Sequence, residues 1–287
     1  MKWEGNRQSD NVEDRRGAGG GGFRIGGKGL SFGTIIIALI GSMIFGVNPL
    51  TLLGMMDGGT ASTQQGPAPA PPASDREAAF VSTVLADTED TWTPIFAEKG
   101  GNYVPPKLVL FSSRTPTACG TGQSASGPFY CPADQKVYID LDFYKVMQQR
   151  FNINGDFAQA YVIAHEVGHH VQHLTGIAGK FEEARRSMTE AQANAVSVRM
   201  ELQADCFAGI WANHADRARS ILEQGDVDEA LAAATAIGDD ALQRRQQGHV
   251  VPDSFTHGTS EQRARWFKRG IESGTVEACD TFNARQL

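Results

Sequence analysis

His165-Glu166-Val167-Gly168-His169 lies inside a run of helical periodicity, roughly Phe157 to Leu174, and its spacing decides how the rest of the chain is read. Residues at i and i+4 stack on one helical face about one turn apart. Both imidazoles can then reach a single tetrahedral Zn²⁺. Glu166 follows the first histidine directly, where its carboxylate can reach a water at the metal without occupying the metal. This is the pattern of a zinc hydrolase that carries its own general base. Five residues of this kind also recur by chance, so a third ligand is required elsewhere.

That ligand is read at Glu201-Leu202-Gln203-Ala204-Asp205. A catalytic zinc takes three protein ligands and keeps one position open, and two histidines with a glutamate form an established set. Glu201 falls on a second long helical stretch, about Met188 to His214, with Asp205 one turn further along the same face. Ligand histidines need an acceptor on the other ring nitrogen to fix tautomer and orientation. Asp205 is the candidate, directed at His165. The bland alternative, one solvated helix and one core helix, leaves this joint spacing unexplained.

The neighbouring histidines fit less well. His173 continues the stripe of His165 and His169, but i, i+4 and i+8 spread over about 12 Å of helix axis and cannot close on one ion. A third histidine after a glycine turn is excluded, because Gln172 and Thr175 stand in those places. His170 points about 100° away from His169 and reads as a supporting or surface residue. Gly168 costs a helix about 1 kcal/mol relative to alanine. It marks either close approach of substrate or sheet, or a helix-packing contact.

The runs Ala164–His170 (AHEVGHH), Glu201–Gly209 (ELQADCFAG) and Gly127–Asp140 (GPFYCPADQKVYID) resemble the bacterial YpfJ-like neutral zinc metallopeptidases, membrane-anchored members of the wider gluzincin group. The resemblance covers about Glu77 to Leu287 and the anchor-plus-linker layout of the N-terminus. It implies a zincin-like fold, Zn²⁺ as cofactor, His165, His169 and Glu201 as ligands, and Glu166 as catalytic base. The chain departs from the pattern at none of these positions. No substrate is implied.

Among 287 residues the formal net charge is −7, and the globular part carries no basic stripe, which argues against a nucleic-acid partner. Residues 1–29 are polar and Gly-rich and are expected to be disordered on the cytoplasmic side. Residues 30–56 are apolar and uncharged, long enough to cross a hydrocarbon core of about 30 Å. Lys2, Arg7, Arg15, Arg16, Arg24 and Lys28 precede this stretch, and the next basic residue is Arg76. The positive-inside rule then predicts a single-pass anchor in the bacterial inner membrane, N-terminus inside and catalytic domain outside. A cleaved signal peptide is the rival, although the apolar run is long for one. Residues 57–75, rich in Pro, Gly and Ala, read as a tether, leaving 76–287 for one metallopeptidase domain.

Cysteine usage fits an oxidising compartment. Cys119 and Cys131 bracket a Gly/Ser-rich loop, and a bridge there would contribute about 3 kcal/mol. Cys206 and Cys279 could pair, or Cys206 could serve as a small buried hydrophobe; four cysteines permit three connectivities and the sequence does not choose. Helices are further expected from about Asp75 to Phe96, from Asp142 to Arg150, from Asp226 to Gly238 and from Glu261 to Ser273. Strands are expected at Lys107–Ser112 and Lys136–Leu141. The class is α+β: a helix-dominated, zincin-like domain with a small sheet, preceded by one transmembrane helix.

The ligand set implies hydrolysis of peptide bonds in extracytoplasmic peptides or proteins, with no covalent intermediate; no G-x-S-x-G elbow competes. Negative charge on the attacked carbonyl calls for a donor. His257, in the loop Ser254–Gly258, is the candidate, with His249, Tyr130 and Tyr138 in reserve. The alternating strand at Lys136–Leu141 is expected to be an edge that receives the substrate, with Tyr138 and Asp140 facing the cleft. Two rival functions are a zinc amidase acting on cell-wall peptides and an inactive zinc-binding envelope scaffold. Intact Glu166 weighs against the second.

Overall fold

In the computed structural model, which describes residues 1–17, 69–72, 74–123 and 127–287, the chain runs β1 (Val12–Asp14), α1 (Arg76–Glu98), β2 (Lys107–Phe111), β3 (Arg114–Thr117), β4 (Gly120–Gln123), β5 (Phe129–Cys131) and β6 (Lys136–Asp140). There follow α2 (Asp142–Phe151), α3 (Asp156–Leu174), α4 (Ile177–Arg185), α5 (Glu190–Arg219), α6 (Asp226–Ala236), α7 (Asp239–Gln247) and α8 (Ser260–Ser273), with 3₁₀ turns at Pro252–Ser254 and Val276–Cys279. Helices dominate, as the α+β reading requires.

The thirty-residue α5 is the axis of the core. Its first turn is closed by a capping box, Thr189 accepting from the Gln192 amide while the Gln192 side chain returns to Thr189. α3 packs along it at Gly168, where a methyl group would come within 3.0 Å of the Ala204 carbonyl oxygen and 3.1 Å of its Cα. Gly168 therefore serves helix packing: it lets the face bearing His165 and His169 approach the face bearing Glu201. On the other flank α8 crosses α5 at Gly209 and Gly270, where either Cβ would collide with the opposite backbone. Trp211, Phe207, Phe157, Trp266 and Phe267 fill the space between these helices. A fully buried phenylalanine of this kind contributes about 1.5–3 kcal/mol.

The four-stranded sheet has the order β1-β2-β6-β5, parallel for the first two pairings and antiparallel for the last. β6 is thus central, paired with β2 through Val109↔Tyr138 and with β5 through Phe129↔Tyr138. This corrects the expectation of a substrate-binding edge at Lys136–Leu141. Tyr138 is 1% exposed, stacks on Phe129 and donates to Asp134. Asp140 is 4% exposed and accepts from the Ser113 and Asp142 amides. Their alternation reflects a tyrosine buried with its hydroxyl satisfied and an aspartate that caps backbone, not a solvated face.

A second correction concerns residues 1–29, of which 1–17 belong to the folded unit. β1 pairs in parallel with β2, Val12 opposite Leu108. Trp3 is buried edge-on against Phe80, its indole N–H donating to Asp156 at 2.8 Å. The Ser9 amide donates to the Ser82 carbonyl, and Arg7 pairs with Glu89 and Asp90. Two apolar anchors and a set of polar contacts to α1 thus outweigh the composition. The folded unit is accordingly not confined to residues 76–287.

The β1–β2 pairing sets residues 12–14 beside residues 108–110 in one sheet. The stretch 30–56 lies outside the described residues, and no helix among the described residues is long and apolar enough to cross a membrane.

Candidate metal centre and its cleft

His165 and His169 project from α3 toward Glu201 on α5. Glu201 Oε2 lies 3.2 Å from His165 Nε2, and Oε1 lies 3.5 Å from His169 Nε2. One donor atom from each of the three residues lies within 4.8 Å of the others. Both rings are held so that Nε2 faces this point. His165 Nδ1 donates to Asp205 Oδ1 at 2.8 Å, and His169 Nδ1 donates to Gln172 Oε1 at 2.9 Å. Gln172 is fixed in turn by the Met200 carbonyl and the Gln203 side chain, to both of which it donates. Such partners set tautomer and basicity of ligating histidines.

Asp205 is fully buried and receives more than His165. Tyr161 donates its hydroxyl to Oδ1 at 2.5 Å, and Arg263 on α8 reaches both oxygens. Burial pushes the Asp205 carboxyl up, but Arg263 and His165 outweigh it and hold the group down at about 2. Burial likewise pulls His165 down, while Asp205 and Glu201 raise it to about 10. Despite burial, Glu201 is held well below the usual carboxylate range by His169 and His165. The three donors therefore form a buried anionic focus that attracts positive charge, the environment a divalent cation replaces protons to occupy. Two imidazoles and one carboxylate suit zinc.

Glu166 is buried beside these groups, and burial raises its carboxyl although both histidines oppose the shift. His257 sits at the entry to α8, whose own capping box is Thr259 with Gln262. Asp239, at the start of α7, gathers the loop. Its Oδ2 accepts from the amides of Thr256, His257 and Gly258 at 2.7–3.0 Å, and its Oδ1 lies 3.1 Å from His257 Nδ1. His257 Nε2 is buried without a hydrogen-bond partner among the described residues. Burial lowers the His257 imidazole, but Asp239 and Glu201 outweigh it, and the net shift is upward.

A cleft of about 570 Å³ is lined by His165, Glu166, His169, Glu201, His257 and Arg263 at its polar end. Phe129, Tyr130, Phe143, Phe181 and Met200 supply apolar wall. Tyr138, Asp140 and Asp205 do not line it. His170 is fully buried rather than on the surface, and His249 is exposed outside the cleft. The disulfides are Cys119–Cys131, which ties the β3–β4 hairpin to β5, and Cys206–Cys279, which ties α5 to the C-terminal segment. Gln172, Asp239, Tyr161 and Arg263 carried no motif that marked them as parts of the site; Tyr161, one turn before His165, and Gln172, three residues after His169, could have been found from helical spacing.

Over residues 1–282 the chain matches the family described as "Putative neutral zinc metallopeptidase". It belongs to that family. Zinc is the cofactor this membership implies, and His165, His169 and Glu201 are the described residues grouped to hold it. The match includes the N-terminal residues that pair into the sheet. The chain is 53% identical to Uncharacterized protein YpfJ of Escherichia coli (strain K12), over 98% of this chain and 99% of that one. It is 40% identical to Uncharacterized protein Rv2575 of Mycobacterium tuberculosis, over 68% of this chain and 67% of the relative. No solved structure matches it.

Proposed function

We propose that the chain is a zinc-dependent peptidase that hydrolyses backbone amides of peptides or proteins outside the cytoplasm. One observation carries this reading: in a single cleft the donors of His165, His169 and Glu201 converge beside buried Glu166 and the unpartnered Nε2 of His257. Zinc, when bound, lowers the pKa of a water toward about 7 and polarises the scissile carbonyl. Glu166 takes the proton of the attacking water and delivers it to the leaving amine, a task suited to a carboxyl raised by burial. His257, with Nδ1 committed to Asp239, donates from Nε2 to the oxygen on which charge develops. Asp205 and Gln172 hold the two ligand rings in register.

The two disulfides support an oxidising compartment. The apolar 30–56 stretch supports contact with a bilayer, and the β1–β2 pairing supports a location of the N-terminal residues on the same side as the cleft. The test is incubation of the full chain in detergent with casein and with muropeptides, with and without a chelator. Chelator-sensitive cleavage of casein is the expected result. Release from muropeptides alone would make the enzyme a cell-wall amidase, and cleavage of neither after zinc loading would overturn the peptidase reading.

A further inference from the structure

Strand β5 offers the cleft a tyrosine whose hydrogen bonding is fixed from behind. His170 is fully buried, with Nε2 2.7 Å from the Val104 carbonyl oxygen and Nδ1 3.0 Å from the Tyr130 hydroxyl. A carbonyl only accepts, so Nε2 carries the hydrogen. Both partners are uncharged, and a buried imidazolium without an anion against it is disfavoured. The ring is therefore the neutral Nε2–H tautomer with a bare lone pair at Nδ1. The Tyr130 hydroxyl donates to that lone pair. Its only proton is thereby committed, and the oxygen is left with lone pairs alone.

Tyr130 lines the same cleft as His165, His169 and Glu201, and among the described residues β5 is the outer strand of its sheet, paired on one side with β6. An extended peptide alongside such an edge presents backbone N–H groups toward it. We propose that Tyr130 accepts a hydrogen bond from a substrate backbone N–H, and that His170, held by Val104, is the positioning residue that keeps it an acceptor. The proposal rests on the peptidase reading and narrows its substrate class. The residue at this subsite has a secondary amide, so proline and N-methylated residues are disfavoured there. It also separates two groups of one cleft: His257 donates to the carbonyl oxygen, whereas Tyr130 does not.

The experiment uses the full zinc-loaded chain and a fluorescein-labelled octapeptide of alternating alanine and leucine, chosen for the apolar wall. Each non-scissile backbone N–H is replaced in turn by an ester oxygen. Binding is read by fluorescence anisotropy and turnover by kcat and KM. One ester should weaken binding to the parent about tenfold, the effect of one hydrogen bond. Tyr130→Phe should bind the all-amide peptide about tenfold more weakly and show no further loss with that ester, with kcat little changed. His170→Gln, which keeps an acceptor toward the hydroxyl, should preserve the ester effect, and His170→Leu, which frees the O–H to donate to the ester, should make it smaller. An ester penalty of equal size in parent and Tyr130→Phe would overturn the proposal, as would a Tyr130→Phe variant that loses kcat at constant KM. A peptide that binds with the expected ester pattern but is never cleaved would sink the peptidase reading and leave this assignment standing. A chain that binds none of the peptides would sink both.

Discussion

Asp205 and Arg263 are joined by two parallel bonds, Nε to Oδ2 and Nη2 to Oδ1, each 2.9 Å, in the fully enclosed space behind His165. The pair links α5 to α8 next to the Gly209–Gly270 crossing, so the geometry of His165 depends on a helix that holds none of the three metal donors. Removing one partner of a buried pair typically costs about 3–5 kcal/mol, because the other charge is left uncompensated. Asp205→Asn should therefore lower stability by an amount of that order. Zinc affinity should also fall about 10- to 100-fold, as supporting partners of ligand histidines do when lost. Denaturant unfolding and competition with a chromogenic chelator measure the two effects. Unchanged zinc affinity would show that Asp205 holds the fold alone.

Glu166→Gln keeps the shape of the side chain and removes the proton acceptor. Zinc content and unfolding midpoint should match the parent, while kcat falls about 10²- to 10⁴-fold. Glu201→Ala should do the reverse in metal analysis, losing zinc first. Activity of Glu166→Gln near that of the parent would move the base elsewhere.

The pH profile tests His257. Its pKa is raised above the ordinary imidazole value, so the charged, Nε2-protonated donor persists to higher pH than in a free imidazole, and activity should be lost as pH rises through the raised pKa. Asp239 is the main charge holding it up, against burial, which pulls it down. Asp239→Asn should therefore shift the alkaline limb of kcat to lower pH. His257→Ala should remove that limb and reduce kcat and kcat/KM together by about 10²- to 10³-fold with zinc content unchanged. An alkaline limb that does not move in Asp239→Asn would detach His257 from the rate.

The parts of this site legible in the sequence are those governed by helical period. His165 with His169, and Glu201 with Asp205, share faces because four residues make about one turn. The helices expected at Phe157–Leu174 and Met188–His214 are observed as Asp156–Leu174 and Glu190–Arg219. Arg263 and Asp239 were illegible for the opposite reason. Each meets its partner through a helix crossing or loop closure, 58 residues from Asp205 and 18 from His257 respectively. Strand β6 misled because alternation in sequence does not distinguish a solvated face from one whose polar groups are satisfied internally. Tyr138 and Asp140 are such a case.

The N-terminal residues give the last prediction, and it bears on topology as well as stability. Trp3 is buried against Phe80 and bonded to Asp156, at the start of the helix that carries His165 and His169. Truncating a buried tryptophan typically costs about 3–5 kcal/mol. In a unit of this size that lowers Tm by roughly 10 °C, a shift readable by calorimetry on the detergent-solubilised full chain. Trp3→Ala should also hasten loss of zinc at elevated temperature, because α3 loses its N-terminal contact. Were residues 1–17 on the far side of a membrane from the cleft, the substitution would leave both quantities untouched. A parent-like Tm in Trp3→Ala would thus count against the packing of the N-terminal residues on α1 and β2.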